Sequence, residues 1–131
     1  MANKAYPLGR AAFAEALVAW STDNIKVALL TSGYTYSATH QFVTDLGANI
    51  VARSSNLTTK TSVGGVLKSD PASFTALAGS RVLYAVIFKD TGSDATSRLL
   101  YYIDTATNLP FTPNGIDTTV QFDPTTGDFQ V

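Results

Sequence analysis

The chain of 131 residues has no cysteine, one histidine, one glutamate and one tryptophan. Without cysteine there is no disulfide scaffold, thiolate zinc site, iron–sulfur site or thiol nucleophile. A lone His40 excludes a site built from several imidazole ligands. Charge is also scarce. Nine Lys and Arg face ten Asp and Glu, giving a net charge of -1. That balance excludes binding to a polyanion by bulk charge, so no nucleic-acid partner is expected. Long apolar runs are missing as well. The longest, Val82–Phe88, falls far short of a bilayer span, so no membrane partner is expected. The segment 11–20 carries Glu15 and no convincing cleavage site, which predicts synthesis in the cytoplasm without a signal peptide.

Ser and Thr are abundant, and nine of the ten acids are Asp. Asp and Ser favour turns and caps, and Thr favours strands, so the composition predicts a mainly β protein with many turns. The length fits a single domain, 1–131, and area scaling buries roughly two-thirds of its surface on folding. The sign of the charge drifts along the chain. Residues 1–89 are basic on balance, and residues 90–131 carry Arg98 against six Asp. The fold can neutralise this asymmetry internally.

Pro7 suits the first helical position. Leu8, Ala12, Ala16 and Trp20 recur every four residues, with Phe13 and Leu17 widening the stripe. This predicts one amphipathic helix over about 7–19. Ile25, Val27 and Leu29 alternate as a strand. Ser37 can cap a short second helical turn running to Leu46, with Phe42 and Leu46 inward and Gly47 at its end. From residue 49 the pattern is extended: 49–53, 56–61, 66–69, a piece from Phe74, 81–89, 98–104, 118–122 and 128–131. The expected fold is an antiparallel β-sandwich or barrel of about eight strands over 24–131, behind the N-terminal helix. Val82–Phe88 is apolar on both faces. Its second face needs a cover, either the helix with Trp20 or a neighbouring subunit.

Candidate chemistry is sparse. Asp90-Thr91-Gly92-Ser93 spells the loop of aspartic proteases, in which two aspartates share a proton. Lys89 beside it would hold the carboxylate ionised, and the flanking strands read more simply as a hairpin. Asp90, Asp94 and Asp104, or Asp123 and Asp128, offer hard oxygens but no calcium-loop spacing, and are read as solvated loops. His40 lacks a nucleophile-elbow context and is read as structural or exposed. Asn56-Leu57-Thr58 fits the glycosylation pattern but is read as a strand start. Gly64-Gly65 is not followed by a phosphate-loop lysine. No catalytic, metal or cofactor-binding residue is assigned. Tyr84, Tyr101 and Tyr102 lie in apolar strands and read as core or interface. Aromatic and apolar residues without a core period are read as contact elements: Tyr6, Leu8, Tyr34, Tyr36, Pro110, Phe111 and Pro113.

The chain resembles a family of small structural proteins of tailed bacteriophages and prophages. The resemblance runs from 21–29 through Ala38-Thr39-His40-Gln41-Phe42 and 57–61. It continues in Lys89-Asp90-Thr91-Gly92, Ser97-Arg98-Leu99-Leu100 and 102–107. It ends in Leu109-Pro110, Thr112-Pro113-Asn114-Gly115 and Val120-Gln121-Phe122-Asp123. These motifs are turns and strand ends, and no catalytic role attaches to them. The resemblance implies a non-enzymatic virion protein made in the host bacterial cytoplasm. The expected role is a capsid decoration (cement) protein, a homo-oligomer bound to the major capsid protein on the outer face of the head. A neck, tail or baseplate component is the alternative, and a protease acting through Asp90 a distant one.

Overall fold

The computed structural model describes residues 4–64, 66–75, 77–103, 111–120 and 129–130. In chain order the elements begin with β1 (Lys4–Ala5), α1 (Pro7–Ala14), β2 (Ile25–Leu30) and a 3₁₀ segment (Val43–Asn49). Next come β3 (Ile50–Arg53), β4 (Thr61–Val63), β5 (Val66–Lys68) and β6 (Ala72–Phe74). The last are β7 (Tyr84–Lys89), β8 (Arg98–Ile103), β9 (Thr118–Val120) and β10 (Phe129–Gln130). The fold is mainly β, and every strand pair among the described residues is antiparallel. A five-stranded sheet in the order β1-β8-β7-β2-β3 lies beside a three-stranded sheet β10-β5-β4 and a two-stranded sheet β6-β9. The sheets do not close on themselves, so the arrangement is sandwich-like rather than a barrel.

Side-chain alternation sorts the central sheet into two faces. Ile25, Val27, Leu29, Ala85, Ile87, Leu100 and Ile103 point into one core, with Trp20, Leu67, Phe74 and Val120. Ala28, Leu30, Val86, Phe88, Leu99 and Tyr102 point into a second, with Tyr6, Tyr34, Val43 and Leu46. The register shifts between Ile87, opposite Tyr101, and Phe88, opposite Leu99. This bulge lets both Leu100 and Tyr101 pack against the first core. The doubly apolar β7 is therefore covered on its second face by the chain's own connection between β2 and β3. Neither the helix nor a second subunit is needed there.

The helix is shorter than the expected 7–19 and ends at Ala14. Ala16 turns left-handed at φ 61°, its N–H donates to the Phe13 carbonyl, and the Leu17 N–H donates to that of Ala12. These two bonds make a Schellman stop with alanine where glycine is usual. Trp20 lies beyond it, still buried, donating its indole N–H to the Lys68 carbonyl at 3.2 Å. Gly9 sits directly on β8. A Cβ there would lie 2.3 Å from the Leu99 carbonyl oxygen and 2.9 Å from the Leu100 Cα.

The second helical turn is the 3₁₀ segment, displaced from the expected 37–46. Asp45, not Ser37, caps it, accepting the N–H groups of Gln41 at 2.8 Å and Phe42 at 3.0 Å. Val43 and Leu46 are buried, Phe42 is half-buried, and Gly47 breaks the segment at φ 64°. Residues 56–60 do not form the expected strand. Thr59 is left-handed, and the Thr58 and Thr59 hydroxyls donate to the Asp70 carboxylate at 3.1 and 2.8 Å. Lys4–Ala5 pairs with Tyr101–Tyr102 as an edge strand that no sequence pattern announces.

Candidate functional site

The Asp90-Thr91-Gly92-Ser93 segment follows β7 at one end of the central sheet. Asp90 accepts the Gly92 N–H at 3.1 Å and forms an ion pair with Lys26 at 3.0 Å. The Lys26 ammonium holds its carboxyl below the usual range, against a smaller opposing effect of burial. Lys89, the cation adjacent in sequence, turns away. It pairs with Asp23 at 3.2 Å and donates to the Leu17 carbonyl at 2.7 Å. For Asp23, burial works to raise the carboxyl, but the Ala19 N–H and Lys89 bring it below its ordinary value. Asp94 takes a two-pronged contact from Arg53 at 2.5 and 2.7 Å, which lowers its carboxyl too.

The loop is knit internally by Ser97, which is fully buried. Its hydroxyl accepts the Thr91 N–H at 3.1 Å and donates to the Ser93 carbonyl at 2.8 Å. Asp90 and Asp94 are thus held by cations of the same chain rather than simply solvated, as the sequence suggested. Lys26–Asp90 and Arg53–Asp94 also join the basic and acidic parts of the sequence. Among the described residues no three acidic or imidazole side chains gather as a metal cluster. Asp104, Asp123 and Asp128 lie outside the described residues. A shallow polar cleft of about 510 Å³ opens between Thr22–Asn24 and Lys89–Gly92. The carboxylates on its wall are already engaged by lysines.

The second polar constellation lies under the β2–β3 connection. Tyr6, Tyr34 and His40 form a hydrogen-bonded chain. The two tyrosine hydroxyls are 2.5 Å apart, and the Tyr34 hydroxyl is 2.8 Å from His40 Nδ1. Burial, with the Tyr34 contact, raises the Tyr6 hydroxyl far above the ordinary phenol range. Burial also pushes Tyr34 up to about 12. Both therefore stay protonated at neutral pH and act as hydrogen-bonding groups, not as bases. Tyr36 donates to the Ala5 carbonyl at 2.9 Å. Its ring meets those of Tyr6 and Tyr102 at 5.1 and 5.3 Å, and Tyr84 meets Tyr102 at 5.5 Å. Five of the six tyrosines make one cluster that fastens the connection to the sheet.

The expected contact residues divide accordingly. Tyr6 and Tyr34 are buried inside the chain, so their assignment to a surface is corrected: their missing period reflects partners far apart in sequence. Tyr36 is half-buried against the same cluster. Phe111 is half-buried and exchanges backbone hydrogen bonds with Val82 at 2.8 and 3.0 Å. Pro113 is half-buried, Leu8 is exposed on α1, and Pro110 lies outside the described residues. Sequence reasoning passed over three other exposed apolar side chains, Leu17, Val63 and Ile116. Leu17 was assigned to a helix that stops before it, and Val63 adjoins Gly64, where a hairpin turn gives a signal. No protein-family model and no curated protein matches the chain.

Proposed function

We infer that the protein is a non-enzymatic structural component of a tailed-phage virion, a decoration protein on the outer face of the head. Its partners on this reading are the major capsid protein and copies of itself. The observation that carries the reading is how the surface is divided. The charged groups of the Asp90–Ser97 loop are engaged in ion pairs within the chain. Among the described residues, exposed large apolar side chains are scattered over the surface, Leu8 on α1, Leu17 just past it, Val63 at the β4–β5 hairpin and Ile116 in the 112–117 connection. Isolated apolar contacts suit a protein that grips a repeating shell at many places, each contact weak and multiplied by symmetry. The resemblance of its sequence motifs to those of the phage family is in line with the same reading.

Reconstruction of the intact particle by cryo-electron microscopy tests it. Density for this chain is expected over the icosahedral head, in hundreds of copies. Density confined to the neck, tail or baseplate would replace decoration by that alternative. Cleavage of a capsid precursor that disappears in Asp90→Asn would restore the protease reading.

A further inference from the structure

Among the described residues, two of the four exposed large apolar side chains lie at or beside one element. Leu8 on α1 is 37% exposed, and Leu17, just past the helix, is 45% exposed. Gly9 and Ala12 are the buried positions of α1. By the helical period, Pro7, Ala11 and Ala14 lie along the opposite, outward line. Pro7, Arg10, Ala11, Phe13 and Ala14 form an open, mostly apolar surface patch along this side of the helix. Arg10 and Glu15 are exposed on the two flanks of that line. Among the described residues neither has an ion-pair partner.

We propose that this face binds a second copy of the chain, α1 against α1, in parallel about a two-fold axis running along the helices. The spacing makes the face self-complementary. Pro7, Ala11 and Ala14, separated by four and then three residues, occupy d, a and d positions of a heptad. Arg10 then falls at g and Glu15 at e. In a parallel pair, g of one helix lies beside e of the other, five residues on. Arg10 therefore meets Glu15 of the second copy, and symmetry repeats the pair. An antiparallel arrangement sets g flank against g flank and e against e, which forms neither ion pair. The small side chains at a and d let the two backbones approach closely. The seam is only eight residues long, so the dimer is weak alone and gains from repetition on a surface. The inference goes beyond the virion reading, and its test needs no particle.

The test is sedimentation equilibrium of the purified full chain at low salt, up to about 1 mM, the upper end of weak association. A reversible dimer is expected. Arg10→Glu and Glu15→Arg should each raise the dissociation constant about tenfold, because two attractive pairs become two like-charge pairs. The double variant R10E/E15R should restore wild-type association, which a folding defect would not do. The chain has no cysteine, so Ala14→Cys supplies an orientation readout. Under oxidation it should cross-link to itself, since Ala14, at the end of the seam, meets its own copy in the parallel pair and is carried to the far end in a centred antiparallel one. A chain that stays monomeric, a dimer unaffected by the charge swaps, or cross-linking only between Ala11→Cys and Ala14→Cys mixed together would each overturn the proposal.

Discussion

The two faces of the central sheet are covered in different ways. The first is covered largely by regular elements: α1 and strands β5, β6 and β9 bring Ala12, Leu67, Ala72, Phe74 and Val120 onto it, and the segment after the helix adds Val18 and Trp20. Their backbone groups bond within helix and ladder, so the contact itself needs little directional chemistry. The second face is covered by a connection whose only regular piece is a 3₁₀ segment. A cover of that kind has few backbone bonds of its own, and the tyrosine cluster supplies what is missing. It provides hydrogen bonds of fixed direction at Tyr6, Tyr34 and Tyr36, and ring contacts over Tyr102. Apolar burial is sufficient where secondary structure fixes orientation, whereas side-chain hydrogen bonds must fix it where secondary structure does not.

The largest test of this contrast places a charge beneath the irregular cover. Val86→Asp should abolish folding, since an unpaired buried carboxylate costs several kcal/mol against a total stability of roughly 5–15 kcal/mol. A soluble variant with a cooperative melt and wild-type near-UV circular dichroism would show that this face is not a dry core. Gly9→Ala probes the regular cover. The added methyl meets β8 backbone, which cannot rotate aside, so a loss of about 3 kcal/mol is expected in urea unfolding. A loss below about 1 kcal/mol would mean that α1 rides more loosely on the sheet than its geometry indicates.

Tyr34→Phe separates the faces more finely. It leaves the buried Tyr6 hydroxyl without its partner and should cost about 1–3 kcal/mol. Adding Tyr6→Phe should recover part of that loss, because the orphaned hydroxyl is then removed. A double variant no more stable than Tyr34→Phe alone would contradict the orphan argument.

At the rim the effects are smaller. Asp90→Asn breaks a partly exposed pair and should cost about 1 kcal/mol or less. The carboxyls of Asp23, Asp90 and Asp94 are all lowered in the fold. Their contribution is thus fully present above the unfolded carboxyl range, near pH 4, and is lost as pH falls through the lower folded values. Melting temperature should decline on acidification below about pH 4, with a shallower decline in Asp90→Asn. Ala16→Gly changes the sign. It relieves a left-handed alanine and should stabilise the chain by about 0.5–1 kcal/mol.

The strands of the central sheet were legible where alternation was strong, as in Ile25–Leu29, and where an apolar run was bounded by turns, as in Val82–Phe88 and Arg98–Ile103. Covers and stops were not. The apolar repeat runs on through Ala16 to Trp20, yet the chain turns at Ala16, and alanine carries no signal for a left-handed stop. Thr58-Thr59-Lys60 has strand composition, but Asp70, a residue distant in sequence, draws it into a turn. At the candidate site the sequence points to Lys89 as the cation beside Asp90, but Lys89 pairs with Asp23, and the cation in place is Lys26, whose ladder partner on β7 is Phe88. Tyr6 and Tyr34 looked like surface residues because the bond that explains them spans 28 residues.

The pairing of β1 also has a consequence for synthesis. Lys4 and Ala5 have one strand partner, β8, and the Tyr6 N–H donates to Leu100. On a ribosome β1 must wait until β8, nearly a hundred residues later, has emerged. Until then Tyr6 cannot enter the core, and the Tyr34 connection lacks the ring beneath it. Closure over so long a separation is slow and comes late. The irregular cover thus sets late, and its apolar face stays exposed to other chains until β1 and β8 have paired.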